Sequence, residues 1–394
     1  MERRGVRLDR AGIDRQMAEL APRQYEVFDE ILATVREVTG DILDPTPRPV
    51  RIGKKGQPLK AKDVGTFNPG SPSQIAALTG WEKTDVASIE ALEADDPWKP
   101  FGELILDYRV LSKMSGTYYD AYLSMLDGEN ALRPNYNLHG TVSGRLSCSK
   151  PNLQNVPRYT ERRPVKGIFI PRDGYVFVEM DYSQAELRIA SHYAKEDRMR
   201  AIFEAGGDPH GETAAKLGIP RFVAKTLNFL IIYGGGVRAI VRTLGCSEEV
   251  GKAYIDGYHG LYPGFRKLSN GCSELAMKQG YIRMETGRLA RFNTWKRYRS
   301  ESDPRKAMNR LIQGTSAEML RVGMQRVDDS IRELGLDAFP LLQVHDSLLI
   351  EVAPQDVPAL ADVLRSDMRD FGFSPRPEID LKIGSSWAPM TELE

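Results

Sequence analysis

From Tyr175 the chain alternates. Val176, Val178 and Met180 fall on one side, and Tyr175, Phe177, Glu179 and Asp181 on the other. A period of two predicts a strand over 175–181. Ser183, followed three residues later by Glu186, has the form of a capping box, which predicts a helix starting there. Asp181 then lies at the mouth of a strand-to-helix turn, where a carboxylate can reach a metal. Further on, two apolar runs within 339–352 flank His345-Asp346, predicting a hairpin with its polar pair at the turn. Between these, residues 195–300 read as mainly helical, with breaks at Gly206-Gly207, Gly234-Gly235-Gly236 and Tyr262-Pro263-Gly264. Another helix is expected over 305–334. Upstream, Met17, Leu20, Tyr25, Phe28, Ile31, Leu32 and Val35 recur at helical spacing and predict a helix over 16–38. Ser73 is placed to cap a short helix over 74–78, a longer helix is expected over 100–126, and 135–157 reads as extended chain and loops.

Composition narrows the class. With 394 residues, 41% hydrophobic and 27% charged, the chain is long enough for two or three subdomains of ordinary globular character. No run is long and apolar enough to span a membrane and no signal peptide opens it, so a cytoplasmic setting is expected. Cys148, Cys246 and Cys272 lie far apart, with neither zinc-type spacing nor a disulfide framework. Formal net charge is +0, so binding to nucleic acid would have to come from local basic patches. One candidate is the Pro- and Gly-rich stretch 41–70 with Arg48, Arg51, Lys54, Lys55, Lys60 and Lys62, read as an exposed basic loop.

Candidate chemistry gathers in three places. Arg221, Lys225, Phe229 and Tyr233 are four apart in succession, one drifting row about 18 Å long on a helix. Pro220 suits the helix start and the glycines from Gly234 its end, while Val223, Leu227, Leu230 and Ile231 supply an apolar back. Two cations one turn apart suit a polyphosphate, and an aromatic a turn further on packs against a sugar or base. The other two places are Asp181 and Asp346, each ending a predicted strand. Side by side they would repel, and two Mg²⁺ ions are the usual clamp for in-line phosphoryl displacement. Each stretch alone also fits a plain structural role, as a turn aspartate, a polar hairpin tip or a solvated helix face.

Taken together and in order, these stretches resemble the polymerase module of family A DNA polymerases, the group of bacterial DNA polymerase I and many phage replicative enzymes. Motif A corresponds to Asp181-Tyr182-Ser183-Gln184-Ala185-Glu186-Leu187-Arg188, motif B to Arg221, Lys225, Phe229 and Tyr233-Gly234, and motif C to Gln343-Val344-His345-Asp346. Ser143-Gly144-Arg145-Leu146-Ser147, Pro151-Asn152-Leu153-Gln154-Asn155-Val156-Pro157, Asp208 with His210, Arg305 with Asn309 and Gln313-Gly314-Thr315, and Ile383-Gly384 with Trp387 also match. The likeness runs from Gly5-Val6-Arg7-Leu8-Asp9 to the C-terminal part of the chain.

The resemblance implies an α+β fold of right-hand form, with an antiparallel palm sheet, helical fingers and a helical thumb. Residues 1–128 would form the N-terminal palm edge and thumb with its basic loop, 129–187 palm, 188–300 fingers and 301–394 palm again. Asp181, Asp346 and the Tyr182 carbonyl would hold two Mg²⁺ ions, for which Mn²⁺ can substitute. Arg221, Lys225, His210, Phe229, Tyr233, Glu186 and Gln184 would bind the incoming dNTP, with Lys225 also protonating the leaving pyrophosphate. Arg145, Asn152, Gln154, Arg305, Asn309, Gln313 and His345 would contact primer–template DNA. A monomer is implied, with replication accessory proteins as candidate partners. Because the matched region opens almost at Met1, no intrinsic 3′→5′ exonuclease domain is expected.

The sequence departs from the pattern in places. Ser347 stands where the family usually has Glu, so a third carboxylate is missing, and Leu230 replaces a usual Gly, which narrows the template side. The stretch 41–65, followed by Phe67-Asn68-Pro69-Gly70-Ser71, is more similar to phage than to bacterial thumbs. A single-subunit RNA polymerase shares a similar palm and often has Ser after the motif C aspartate. Glu186 argues against it, because a bulky residue there crowds a ribose 2′-hydroxyl. A catalytically dead DNA-binding relative is disfavoured by the two aspartates and the complete phosphate row.

Overall fold

The computed structural model describes residues 1–40, 67–292 and 303–394. The basic residues of the expected 41–70 loop, from Arg48 to Lys62, lie outside the described residues, as does the end of the expected helical region 195–300. The chain groups into two compact units. One takes Leu8–Leu132 and Pro157–Ile168, the other Met1–Arg7, Arg133–Val156 and Phe169–Glu394. Helices and antiparallel sheets are mixed, as an α+β class requires. No helix among the described residues is long and apolar enough to cross a membrane, and all three cysteines are free.

The smaller unit is built on the helix Arg10–Thr39, longer than its sequence spacing indicates. Asp9 caps it by accepting from the Gly12 amide, and Gly40 ends it in the left-handed region. Its inward stripe, Val27, Ile31 and Val35, is fully buried against Ile75, Ile89, Phe101 and Ile105. The short helix Pro72–Thr79 is capped by Ser71, not Ser73. Pro72 follows the cap, where a preset φ suits the first helical turn, and this moves the start two residues upstream. The expected 100–126 helix is interrupted. An α-helix over Lys99–Ser112 passes into π-helical turns over Lys113–Asp120, then a short α segment, Ala121–Leu123.

The larger unit is organised by a five-stranded antiparallel sheet. Its order is Thr391–Glu392, Glu378–Gly384, Val176–Ser183, Ser347–Val352 and Ala338–Val344. Val176–Ser183 begins one residue after, and ends two after, the alternating stretch. Val178 and Met180 are fully buried, as alternation requires, but so is Phe177 on the other face. Both faces of a central strand are covered, so the period of two is blunted there. Glu179 keeps its place on that second face by accepting a 2.8 Å hydrogen bond from the buried Trp387 indole. Burying side chains such as Leu348, Ile350 and Val352 contributes roughly 1.5–3 kcal/mol each. That burial fixes register, because a one-residue slip would exchange Met180 for Asp181 in the core.

Around the sheet pack the helices Ala185–Ala194, Arg221–Ile232, Ala307–Glu333 and Val357–Asp367. The breaks expected in 195–300 separate helices as read, but Tyr281–Arg283 and Leu289–Arg291 form a hairpin where helix was expected. The last long helix starts after a 3₁₀ turn at Pro304–Lys306.

Gly234 ends the Arg221–Ile232 helix with φ +77°, and a Cβ there would lie 2.8 Å from the Arg305 carbonyl oxygen. Gly234→Ala meets both the left-handed penalty and a main-chain clash. It is expected to lower stability by at least about 1–2 kcal/mol, read as a lower urea midpoint with unchanged m. An unchanged midpoint would show that this turn relaxes freely.

Candidate active site

Two strand pairings build the acidic part of the site. Asp181 faces Ser347 on one neighbouring strand and Asp380 on the other. The Tyr182 amide donates to the Asp346 carbonyl oxygen at 3.3 Å, tying the two predicted metal-binding residues through the backbone. His345 precedes Asp346 with φ +55°, the left-handed residue that lets the hairpin turn in two residues. Asp181 is exposed and Asp346 half-buried, so both carboxylates are reachable from solvent. Ser347 is buried, and its hydroxyl donates to the Val344 carbonyl at 2.9 Å, closing the turn. Asp380 is the acidic neighbour that no motif names. Cross-strand partners share a face, so it sits beside Asp181 on the flank opposite Ser347.

The expected capping box is not formed. Ser183 belongs to the strand, and Gln184 sits at the helix N-cap with φ +54° and no side-chain cap bond. Glu186 is instead drawn into the interior, 5% exposed. It accepts from Arg145 Nη2 at 2.5 Å and from the Tyr233 hydroxyl. These two bonds outbid a backbone amide because one carries a full charge and the other closes a buried hydroxyl. Burial pushes the Glu186 carboxyl above its ordinary range, against the opposing pull of Tyr233 and Arg145. The Tyr233 hydroxyl is raised as well, chiefly by burial and then by Glu186. Arg145 also lies 3.7 Å from Asp346 Oδ1, so one guanidinium spans the buried glutamate and the turn aspartate.

The predicted helix forms over Arg221–Ile232, with Tyr233 at its C-cap. Arg221 and Lys225 are exposed, Phe229 and Tyr233 half-buried, and Val223, Leu227 and Ile231 are buried behind them, with Leu230 packed partly on the core. Pro220 serves as the N-cap. Arg221 Nε pairs with Asp208 Oδ2 at 2.6 Å. The other Asp208 oxygen accepts the His210 amide at 3.1 Å and so caps the helix Pro209–Leu217. His210 is buried, its Nδ1 accepting from the Asn228 side-chain Nδ2 at 2.8 Å, which leaves its proton on Nε2. Burial holds the imidazole below its usual value, Asp208 opposing and Arg221 and Lys225 reinforcing. Its ring lies 5.7 Å from that of Phe229, which lies 6.1 Å from Tyr233.

Of the residues expected at primer–template, Arg145, Gln154 and His345 converge with Asp346 around a small cavity of about 30 Å³ that Leu146, Leu320 and Met324 also line. Asn152 is exposed and caps the 3₁₀ turn Leu153–Asn155. Asn309 and Gln313 are half-buried on Ala307–Glu333, outside that cavity. Arg305 is exposed, precedes the α-helix and pairs with Asp303 at 2.6 Å. The Gln313-Gly314 turn reaches the Arg145 loop, since a Cβ on Gly314 would lie 3.3 Å from the Ser143 carbonyl.

The donor chemistry fits magnesium. Mg²⁺ takes hard oxygens and is held by one or two carboxylates with substrate phosphates and water. Among the described residues no group of three His, Cys, Asp or Glu is placed around one ion, so Asp181 and Asp346 would be the side-chain donors.

Glu186 binds its proton more tightly in the fold than in the unfolded chain, where ionisation centres near 4.5. Its contribution is therefore greatest below that pH and is lost as pH rises through the raised folded value. Urea unfolding of wild type and Glu186→Gln from pH 4.5 to 8 should show the wild type losing stability relative to the variant as pH rises. Parallel profiles would mean that Arg145 and Tyr233 cancel the burial.

Comparison with known proteins supplies the family. The model of DNA polymerase family A matches residues 61–389. DNA polymerase I of Chloroflexus aurantiacus is 34% identical over 78% of this chain and 34% of its own length. DNA polymerase I of Pseudomonas aeruginosa is 32% identical over 82% of this chain and 38% of its own. The thermostable DNA polymerase I of Thermus aquaticus is 30% identical over 100% and 47% respectively. The chain thus spans about a third to a half of the length of these relatives. The structure described as the POL domain of Pol1 from M. smegmatis in complex with DNA primer-template and dNTP superposes with a TM-score of 0.83 at 25% identity, over 97% of this chain and 67% of that one. The motifs in order and the matched family model together establish that this chain belongs to DNA polymerase family A.

Proposed function

We propose that the chain is a DNA-directed DNA polymerase, adding dNTPs to a primer 3′-hydroxyl under the direction of a template strand. The observation that carries this is the approach of the Asp346 turn to the strand end at Asp181, where the Tyr182 amide donates to the Asp346 carbonyl, with Arg145 and Glu186 linking Asp346 to Tyr233 at the end of the Arg221–Ile232 helix. The relationship to a Pol1 structure holding primer-template and dNTP supports the same ligands. On this reading the five-stranded sheet is palm, the helices from Asp197 to Gln279 are fingers, and the Arg10–Thr39 unit is thumb.

Asp181 and Asp346, with the Tyr182 carbonyl, would hold two Mg²⁺ ions, or Mn²⁺ in their place. When bound, these ions activate the 3′-hydroxyl and neutralise charge on the triphosphate. Arg221 and Lys225 grip the phosphates, and Lys225 gives a proton to the departing pyrophosphate. The neutral His210 donates from Nε2 to a phosphate oxygen, which suits a site already supplied with two cations. Phe229 packs on the sugar and Tyr233 faces the templating base. Gln184 lies beside the nucleotide. Arg145, Gln154 and His345 test the shape of the terminal pair through minor-groove acceptors, which occupy nearly the same place in every correct pair. Asn152, Arg305, Asn309 and Gln313 hold the duplex nearby. The protein works as a monomer, with replication accessory proteins as its protein partners.

Primer extension with Asp181→Ala and Asp346→Ala tests the centre. Each should lose at least about a thousandfold in nucleotide addition, on the scale of removing groups that stabilise transition-state charge, while primer-template Kd stays within a few-fold. Near-normal extension by either variant would remove the proposed centre.

Glu186 is assigned the sugar gate. Arg145 and Tyr233 hold its carboxylate in one rotamer, so it cannot swing away from a ribose 2′-hydroxyl. Glu186→Ala should raise the rNTP/dNTP incorporation ratio about ten- to a hundredfold, corresponding to roughly 1.4–2.8 kcal/mol in selectivity. An unchanged ratio would leave Glu186 only its contacts to Arg145 and Tyr233.

A further inference from the structure

The strand Ala338–Val344, which leads into His345-Asp346, is an edge of the five-stranded sheet. Ser347–Val352 covers one side of it, and the main-chain groups of the other side need partners from elsewhere. At Gln343 the Tyr136 side chain meets both groups, with Gln154 Nε2 a second, longer donor to the carbonyl at 3.4 Å. The Tyr136 hydroxyl donates to the Gln343 carbonyl at 3.1 Å and accepts from the Gln343 amide at 3.0 Å. A phenol is both donor and acceptor, so it can satisfy both groups of one residue in place of a neighbouring strand. Tyr136 lies on Asn135–Asn137, which pairs with Ser147–Ser149, and the loop joining these strands carries Arg145. The Gln343 side chain extends the network. Its Oε1 accepts from Gln154 Nε2 at 2.9 Å, and its Nε2 donates to the His345 carbonyl at 2.5 Å. Gln343 is 2% exposed, so bonds lost here are not readily replaced by water.

We propose that Tyr136 is a positioning residue for the reaction centre: its hydroxyl clasps the main chain of Gln343 and so holds the hairpin that presents Asp346 against the hairpin that carries Arg145. The proposal rests on the polymerase reading. It follows from where the bonds run. Arg145 reaches Asp346 from one hairpin, His345 and Asp346 turn the other, and the Tyr136 hydroxyl makes two main-chain bonds between them. Burial holds that hydroxyl above its usual pKa, so it stays protonated and able to donate across the working pH range. Misplacing reacting groups by a fraction of an ångström costs catalytic rate more than ground-state binding. The loss should therefore fall on the rate of addition rather than on nucleotide affinity.

Tyr136→Phe keeps the ring and removes only the oxygen. In hydrogen exchange followed by NMR, the Gln343 amide should exchange at least about tenfold faster in Tyr136→Phe, while amides in Ser347–Val352 keep their wild-type rates. In single-turnover primer extension the maximal rate should fall about tenfold, with the dNTP concentration for half-maximal rate and the primer-template Kd within about twofold. Tyr136→Leu, which also removes ring packing, should reproduce the exchange effect if folded, and its urea midpoint separates packing from the clasp. Unaccelerated exchange in Tyr136→Phe overturns the clasp. Accelerated exchange with an unchanged rate of addition overturns the positioning role. Wild-type protein that adds no nucleotide at all overturns the polymerase reading and the positioning role with it, while the exchange measurement still decides the clasp.

Discussion

Everything at this site depends on bringing like charges together. Asp181 lies on one strand and Asp346 in a hairpin turn far along the sequence, and Asp380 of a further strand stands opposite Asp181. Neighbouring carboxylates repel, so no attraction between these side chains could have assembled them. The assembly force lies beneath, in the apolar rows Val178, Met180, Leu348, Ile350 and Val352, which fix strand register by burial. The acidic ends are carried to one place by that register. The cost of holding them together is offset by cations, by Arg145 in the protein and by metal ions in the proposed reaction.

Arg145 couples the pieces. It is 2.5 Å from the buried Glu186 and 3.7 Å from Asp346, while Glu186 also takes the Tyr233 hydroxyl. One chain of contacts therefore joins the Arg145 loop, the start of the helix after Asp181, the end of the Arg221–Ile232 helix and the His345-Asp346 hairpin. Gly144 makes the loop possible. Its φ is +84°, and a Cβ there would collide with the Arg288 guanidinium at 2.2 Å. Arg288 is held by Glu318 at 2.8 Å, and Arg321 donates to the Gly144 carbonyl at 2.6 Å. Two arginines thus fix the turn that aims a third.

Much of this was legible in the sequence, and what was not has identifiable causes. The central strand, the His345-Asp346 hairpin and the Arg221–Ile232 helix were readable because periodicity, Pro and Gly placement and polar turn residues agreed with one another there. The capping box at Ser183 and Glu186 was misread because local spacing cannot show that Arg145 and Tyr233, 41 and 47 residues away, compete for the same carboxylate. The hairpin at 281–291 was missed because its strands are three residues each, too short for a period of two to show. Tyr136 and Asp380 were invisible for a further reason. Their importance lies in cross-strand register, and no motif spacing encodes which residue will stand opposite another.

The row proposed to bind phosphate raises a last question of energetics, since Arg221 already has an anionic partner. Its 2.6 Å pair with Asp208 is made between exposed side chains, and such pairs contribute little because water screens them. A triphosphate carries several charges, so it can outcompete one solvated carboxylate for the same guanidinium at small cost. Asp208 is also fixed in place by its second role, capping Pro209–Leu217 through the His210 amide. It therefore holds Arg221 close to His210, so that in the proposed reaction both groups would meet the same triphosphate. A deeply buried ion pair would have the opposite effect, because breaking it strands a charge away from water. Weak, exposed and well oriented is the arrangement that lets a cation be both preorganised and available.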